Sequence, residues 1–144
     1  MKDLSWCKAQ KNGIELIEPN KNLSKSYLNE SRDTLSQINL NGNKWNIIMA
    51  YYACYNALYA ILQIAGIKCE IHDCTISLMT YIAGFEKQDQ LFLAKLKEDR
   101  IANQYYLEQR KLTNLLEIQK FILKCEKIAE HLNIEQLRKQ INDQ

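Results

Sequence analysis

A chain of 144 residues, 47% hydrophobic and 25% charged, has the size and make-up of one globular domain with a real core. Four glycines and one proline are too few to turn the corners of a β-sandwich or barrel, which leaves a few long helices. A formal charge of +2 neither announces nor excludes nucleic acid, because a local basic patch fits inside a near-neutral total.

The chain begins "MKDLSWCKAQKNG", without the apolar run of a signal peptide, and no window reaches eighteen consecutive apolar residues. A cytoplasmic protein without a membrane span is therefore expected. After Pro19-Asn20, a helix start signal, Leu23, Tyr27, Leu35 and Ile38 form a sparse helical stripe. "NLNGNKW", residues 39–45, is the strongest breaker and separates this helix from the next.

"WNIIMAYYACYNALYAILQIAG", residues 45–66, repeats apolar side chains at three- and four-residue spacing, and Gly66 stands where a C-terminal cap belongs. It is apolar nearly all round, the mark of a central helix with several partners. Tyr51, Tyr52, Tyr55 and Tyr59 place four phenols in nine residues, each needing a hydrogen-bond partner if buried. Tyr51, Tyr52 and Tyr55 are expected to face a groove or the interface of a homodimer.

Residues 71–84 read as a shorter helix ending at Gly84, and the segment from Lys87 to Arg110 as a long one. Leu112, Leu115, Ile118, Ile122, Cys125, Ala129 and Leu132 line one side of another. A short terminal helix follows, capped by Asn133 with Gln136 three residues on. The expected fold is a single all-α domain over 1–144, an up-and-down antiparallel bundle of four to five helices with a short C-terminal helix.

Five scattered cysteines without a Cys-x-x-Cys are expected to be free thiols, with Cys54 and Cys125 in the core. Cys69, His72 and Cys74 cluster in "CEIHDC", but structural zinc needs four ligands and no second pair stands nearby. No metal and no cofactor are expected.

Leu93, Leu96, Arg100, Asn103 and Leu107 share one face at the helical period, which sets Arg100 on or beside the packed stripe. A desolvated guanidinium is costly without a partner. It either clamps an internal carboxylate or helix-end carbonyls, or it serves as a ligand for phosphate, which its planar fork suits. Spacing alone favours the clamp.

"AYYACYNALYAILQIAGIKCEIHDCTISLM", followed by "EDRIANQYYL", resembles the HEPN domain superfamily, most closely its small stand-alone prokaryotic members. Ala50, Tyr51, Tyr52, Ala53, Gly66, His72, Arg100 and Tyr105 fall in order on that group's motif positions, and the resemblance runs from about Asn20 to His131. It implies a helical bundle that dimerises. It also implies a toxin or defence role, with RNA cleaved without a metal and a small nucleotidyltransferase as partner. The family's catalytic signature is an Arg followed, four to six residues on, by a His; here Tyr105, Tyr106 and Leu107 occupy those positions.

The only histidines are His72 and His131. Tyrosine, with an ordinary pKa near 10, is a poor proton shuttle at neutral pH. The missing His favours a binding or regulatory protein, working with a nucleotidyltransferase and holding a nucleotide or RNA phosphate at Arg100, Asn103 and Tyr106. The alternative is an endoribonuclease toxin with an altered site that uses Arg100 with His72 or Tyr105. In some toxin pairs resembling this one the partner attaches AMP to a tyrosine near the Arg motif, a role open to Tyr105 or Tyr106. His131, in a last helical turn, is expected to serve the helix dipole only.

Overall fold

Helix α3 (Trp45–Ala65) is the centre of the molecule, a computed structural model describing residues 2–144. Around it stand α1 (Leu4–Ala9), α2 (Lys21–Ser36), α4 (His72–Ser77), α5 (Lys87–Tyr105), α6 (Leu116–His131) and α7 (Ile134–Asp143). A short antiparallel ribbon, β1 (Glu15–Leu16) with β2 (Ile67–Lys68), pairs Glu15 with Lys68 and Leu16 with Ile67. The protein is an all-α bundle, as its composition requires.

Side-chain contacts give the directions. Ser24 and Ser31 on α2 donate to the carbonyls of Ala60 and Ala53 on α3, so these two helices run antiparallel. Arg100 and Asn103 on α5 meet Tyr52 and Lys44 in the same reversed order, and Asp89 and Phe92 meet Lys124 and Phe121 on α6. Helix α3 is long and apolar enough to cross a membrane, yet 72% of that stretch is buried inside the bundle. Burial against α2, α5 and α6 accounts for its all-round hydrophobicity.

The caps follow the sequence. Asn20 accepts from the Leu23 amide, Asn133 accepts from the Gln136 amide, and Gly66 ends α3 in the left-handed region at φ 72°. Just past that cap, one guanidinium nitrogen of Arg138 on α7 donates to the carbonyls of Ile17, Ala65 and Gly66 at 2.8–2.9 Å.

Several expectations need correction. Residues 71–84 do not form one helix: α4 covers six residues and passes into a 3-10 turn, Leu78–Tyr81. On α2 the buried residues are Ser24 and Ser31, while Leu23 is exposed and Tyr27 and Leu35 are half-buried. Small hydroxyl residues let α2 approach the alanine face of α3, and the α3 carbonyls satisfy the hydroxyls.

Helix α5 stops at Tyr105, not Arg110. The Asn103 side chain donates to the Arg110 carbonyl and accepts from the Arg110 amide, which folds the chain back. Leu107 takes a positive φ of 54° and is exposed, so it does not continue the packed stripe of Leu93, Leu96, Arg100 and Asn103. Helix α6 correspondingly begins at Leu116, leaving Leu112 and Leu115 in the connection.

The cysteines are not all free thiols: Cys7 and Cys74 form a disulfide across 67 residues of sequence, tying α1 to α4. Cys54, Cys69 and Cys125 remain free and buried. With Cys74 bonded to Cys7, the trio Cys69, His72 and Cys74 offers no ligand set for a metal.

Candidate functional site

Arg100 enters α5 three residues before Asn103 and projects toward α3 at the level of Tyr51 and Tyr52. It is 8% exposed and makes no ion pair among the described residues. Its hydrogen-bond partner is a neutral phenol: one terminal nitrogen donates to the Tyr52 hydroxyl at 2.8 Å. Its Nε has no partner. The guanidinium carbon lies 4.9 Å from the Tyr51 ring centroid and 5.4 Å from that of Tyr52, within cation–π range. The clamp that spacing favoured, a carboxylate or helix-end carbonyls, is absent among the described residues.

A cavity of about 460 Å³ opens over this group. Its walls include Tyr52, His72, Lys97 and Arg100, with the exposed Tyr105 and Tyr106 among them. Two cations and no carboxylate line it. Lys97 is held 2.6 Å from Asp73, so Arg100 carries the uncompensated positive charge. A larger cavity of about 710 Å³ between α6 and Gly84 takes in His131, Lys120 and Lys127, but contains neither arginine nor tyrosine.

His72, first residue of α4, is brought to Arg100 as the HEPN resemblance alone did not require. Its Nδ1 lies 2.7 Å from the Tyr51 hydroxyl, and its ring stacks on Tyr55 with centroids 4.1 Å apart. Burial pushes the imidazole down to about 4, the charges of Arg100 and Lys97 push the same way, and Asp73 opposes them. Burial drives the Tyr51 hydroxyl the other way, well above its ordinary value. Tyr51 therefore stays protonated, and as Nδ1 is the one acceptor this buried hydroxyl meets among the described residues, it donates there, which leaves the neutral ring's proton on Nε2. At rest His72 offers the cleft a hydrogen-bond donor, not a base.

The other expected residues separate. Tyr51 is fully buried, while Tyr55, 8% exposed with its hydroxyl donating to Thr75, lines a groove along α3 with Tyr52 and Tyr59. Their phenols found partners inside the chain. Tyr52 is half-buried and belongs to the cavity over Arg100 as well. Asn103 does not line the cavity: its amide bridges the Lys44 and Arg110 carbonyls at 3.0 and 2.7 Å. It is a packing residue, committed on both ends. Tyr105 and Tyr106 stand 64% and 74% exposed beside Arg100, and His131 is exposed on α6, away from the cavity.

Sequence reasoning missed Tyr52 as the partner of Arg100 and Lys97 as the second cation. The spacing of Lys97 and Arg100, one helical turn apart, was the available signal. Compared with family models, curated proteins and solved structures, the chain matches none.

The arrangement can hold an anion. Arg100 supplies unsatisfied N–H groups, Tyr52 still has its hydroxyl proton to give, and His72 and Lys97 stand alongside. Charge-assisted donors converging in a partly desolvated cleft are what a phosphate ester requires.

Proposed function

We propose that this protein is a HEPN-superfamily binding or regulatory protein that holds a phosphate group of a nucleotide or RNA at Arg100. The observation that carries this reading is the guanidinium itself: it lines the cavity, is largely buried, and is paired to a phenol and not to a carboxylate among the described residues. An uncompensated buried cation costs stability, and a fold that keeps one open to a cleft is suited to an anionic ligand.

The working form is a homodimer, with a nucleotidyltransferase as the partner protein. Tyr105, Tyr106 and Leu107, all exposed beside the cavity, are the surface that would meet a second subunit or that partner. Their position also suits Tyr105 or Tyr106 to accept a nucleotidyl group. No cofactor enters this reading.

A metal-independent endoribonuclease is the second reading, favoured by His72 sharing a cavity with Arg100. There Arg100 would stabilise the charge on phosphorus, and His72 would move a proton after the Tyr51 hydroxyl turns to accept from Nδ1. The resting hydrogen bond and the low basicity of His72 weigh against it.

Incubation with a single-stranded RNA in EDTA, beside Arg100→Ala and His72→Ala, separates the two. The binding reading expects salt-sensitive retention of the RNA without cleavage, lost in Arg100→Ala. Cleavage abolished by both substitutions establishes the nuclease instead. No retention by the folded wild-type protein removes RNA as the ligand, and no binding of a mononucleotide in a parallel titration removes the phosphate site.

A further inference from the structure

A second cavity, of about 490 Å³, shares two wall residues with the first: Tyr52 and His72. It continues along α3, where Tyr52, Tyr55, Asn56, Tyr59 and Gln63 all line it. These positions fall at i, i+3, i+4, i+7 and i+11, one face of the helix. Tyr27 of α2 closes the opposite side, its ring set edge-on to Tyr59 with centroids 5.0 Å apart.

The two cavities differ in chemistry. The first is cationic, while the second is walled chiefly by aromatic rings, carries no arginine, and has Lys68 and Glu70, one charge of each sign, as its charged residues. Within it the Asn56 side chain is half-buried and makes no hydrogen bond to the described residues. From the level of Tyr52 to that of Tyr59 the trough runs about 10 Å along the helix axis. A phosphate at one end and a flat ring at the other is the outline of one nucleotide.

We infer that the aromatic cavity is a nucleobase subsite: a nucleotide with its phosphate on Arg100 stacks its base on the half-buried ring of Tyr27, which Tyr59 holds edge-on, and Asn56 reads the base edge. Asparagine pairs its amide with the N6 and N7 of adenine, so adenine is the base this edge fits best. The inference rests on the phosphate reading of Arg100 and adds the chemical class of what is attached to that phosphate. Nothing in the chemistry separates a free nucleotide from one residue of an RNA strand; the probes do.

The experiment is calorimetric titration of the full chain with AMP, CMP, ribose 5-phosphate, adenosine and a short oligoadenylate, repeated on Tyr27→Leu and Asn56→Ala. Both substituted positions are half-buried, and a melting curve for each variant confirms that it is folded. Stacking on an aromatic ring is expected to make AMP bind roughly 5- to 150-fold tighter than ribose 5-phosphate. Tyr27→Leu should remove most of that margin and leave ribose 5-phosphate unchanged. Asn56→Ala should narrow the preference for AMP over CMP.

Equal binding of AMP and ribose 5-phosphate, unmoved by either variant, overturns the subsite and leaves the phosphate site intact. Binding of adenosine as tight as that of AMP sustains the subsite and removes the phosphate reading. Binding of none overturns both. An oligoadenylate that binds well above AMP assigns the subsite to RNA, and parity assigns it to the free nucleotide; either supports it.

Discussion

Arg100 donates to Tyr52, 2.8 Å away, and this bond between a cation and a neutral phenol links α5 to α3 at the mouth of the cavity. Two roles meet in it, since the hydroxyl both fixes the guanidinium and keeps a proton to offer an anion. Tyr52→Phe retains the ring and removes both. The expected cost is about 1.5–3 kcal/mol of stability, the range for a bond to a charged group. Phosphate-ester affinity should fall about tenfold. Chemical denaturation and titration with ribose 5-phosphate measure the two effects, and unchanged affinity would separate Tyr52 from the site.

His72 makes stability depend on pH in a defined window. The imidazole titrates near 6.5 in an unfolded chain and at about 4 in the folded one. Between these values the unfolded state binds more protons, so this contribution is full above about pH 6.5 and is lost as pH falls toward 4. Urea midpoints at pH 7 and pH 4.5 should differ more for the wild type than for His72→Gln. An imidazole NMR titration that gives an ordinary histidine value in the folded protein would refute the assignment.

The Cys7–Cys74 bond closes a loop of 67 residues. Loop-closure entropy for that length assigns it about 4 kcal/mol. A dithiol reductant should therefore lower the melting temperature by several degrees or more, and Cys7→Ser should reproduce the shift. Because Cys74 lies two residues from His72, reduction should also broaden the His72 resonances. A melting temperature indifferent to reductant would contradict the bond's role.

Asn103→Ala tests the turn that ends α5. The substitution strands the Arg110 amide and the Lys44 and Arg110 carbonyls, each left to find water. The expected loss is about 1–3 kcal/mol, with Tyr105 and Tyr106 losing their fixed place beside the cavity. Phosphate affinity should drop only as far as that reordering allows, less than in Arg100→Ala. An equal loss in both would return Asn103 to the ligand set.

The long helices were readable because their periodicity and caps agree: Asn20, Gly66 and Asn133 each do what their residue type dictates. The packing of α2 was not, since Ser24 and Ser31 carry no hydrophobic signal and become core residues only because α3 offers carbonyls there. Arg100 was recognisable as a residue on the packed face, but not its partner. A phenol 48 positions away has no local mark that tells it from Tyr51 or Tyr55. Free thiols were expected from spacing and compartment, and neither reports that α1 folds back onto α4. The end of α5 was misplaced because Asn103, which looked like a ligand, supplies the hydrogen bonds that break the helix.

The single nitrogen of Arg138 that reaches three carbonyls gives α7 a hold on the opposite end of the trough. Ala65 and Gly66 are the last turn of α3, and Ile17 follows the strand that pairs with Ile67 and Lys68. The ribbon, the α3 terminus and α7 are therefore expected to open together, and hydrogen exchange that protects the ribbon amides equally in Arg138→Ala would contradict the link. A change that draws α7 away would release the carbonyls of Ile17, Ala65 and Gly66, beside Gln63, while the Arg100–Tyr52 bond lies more than three turns away along α3.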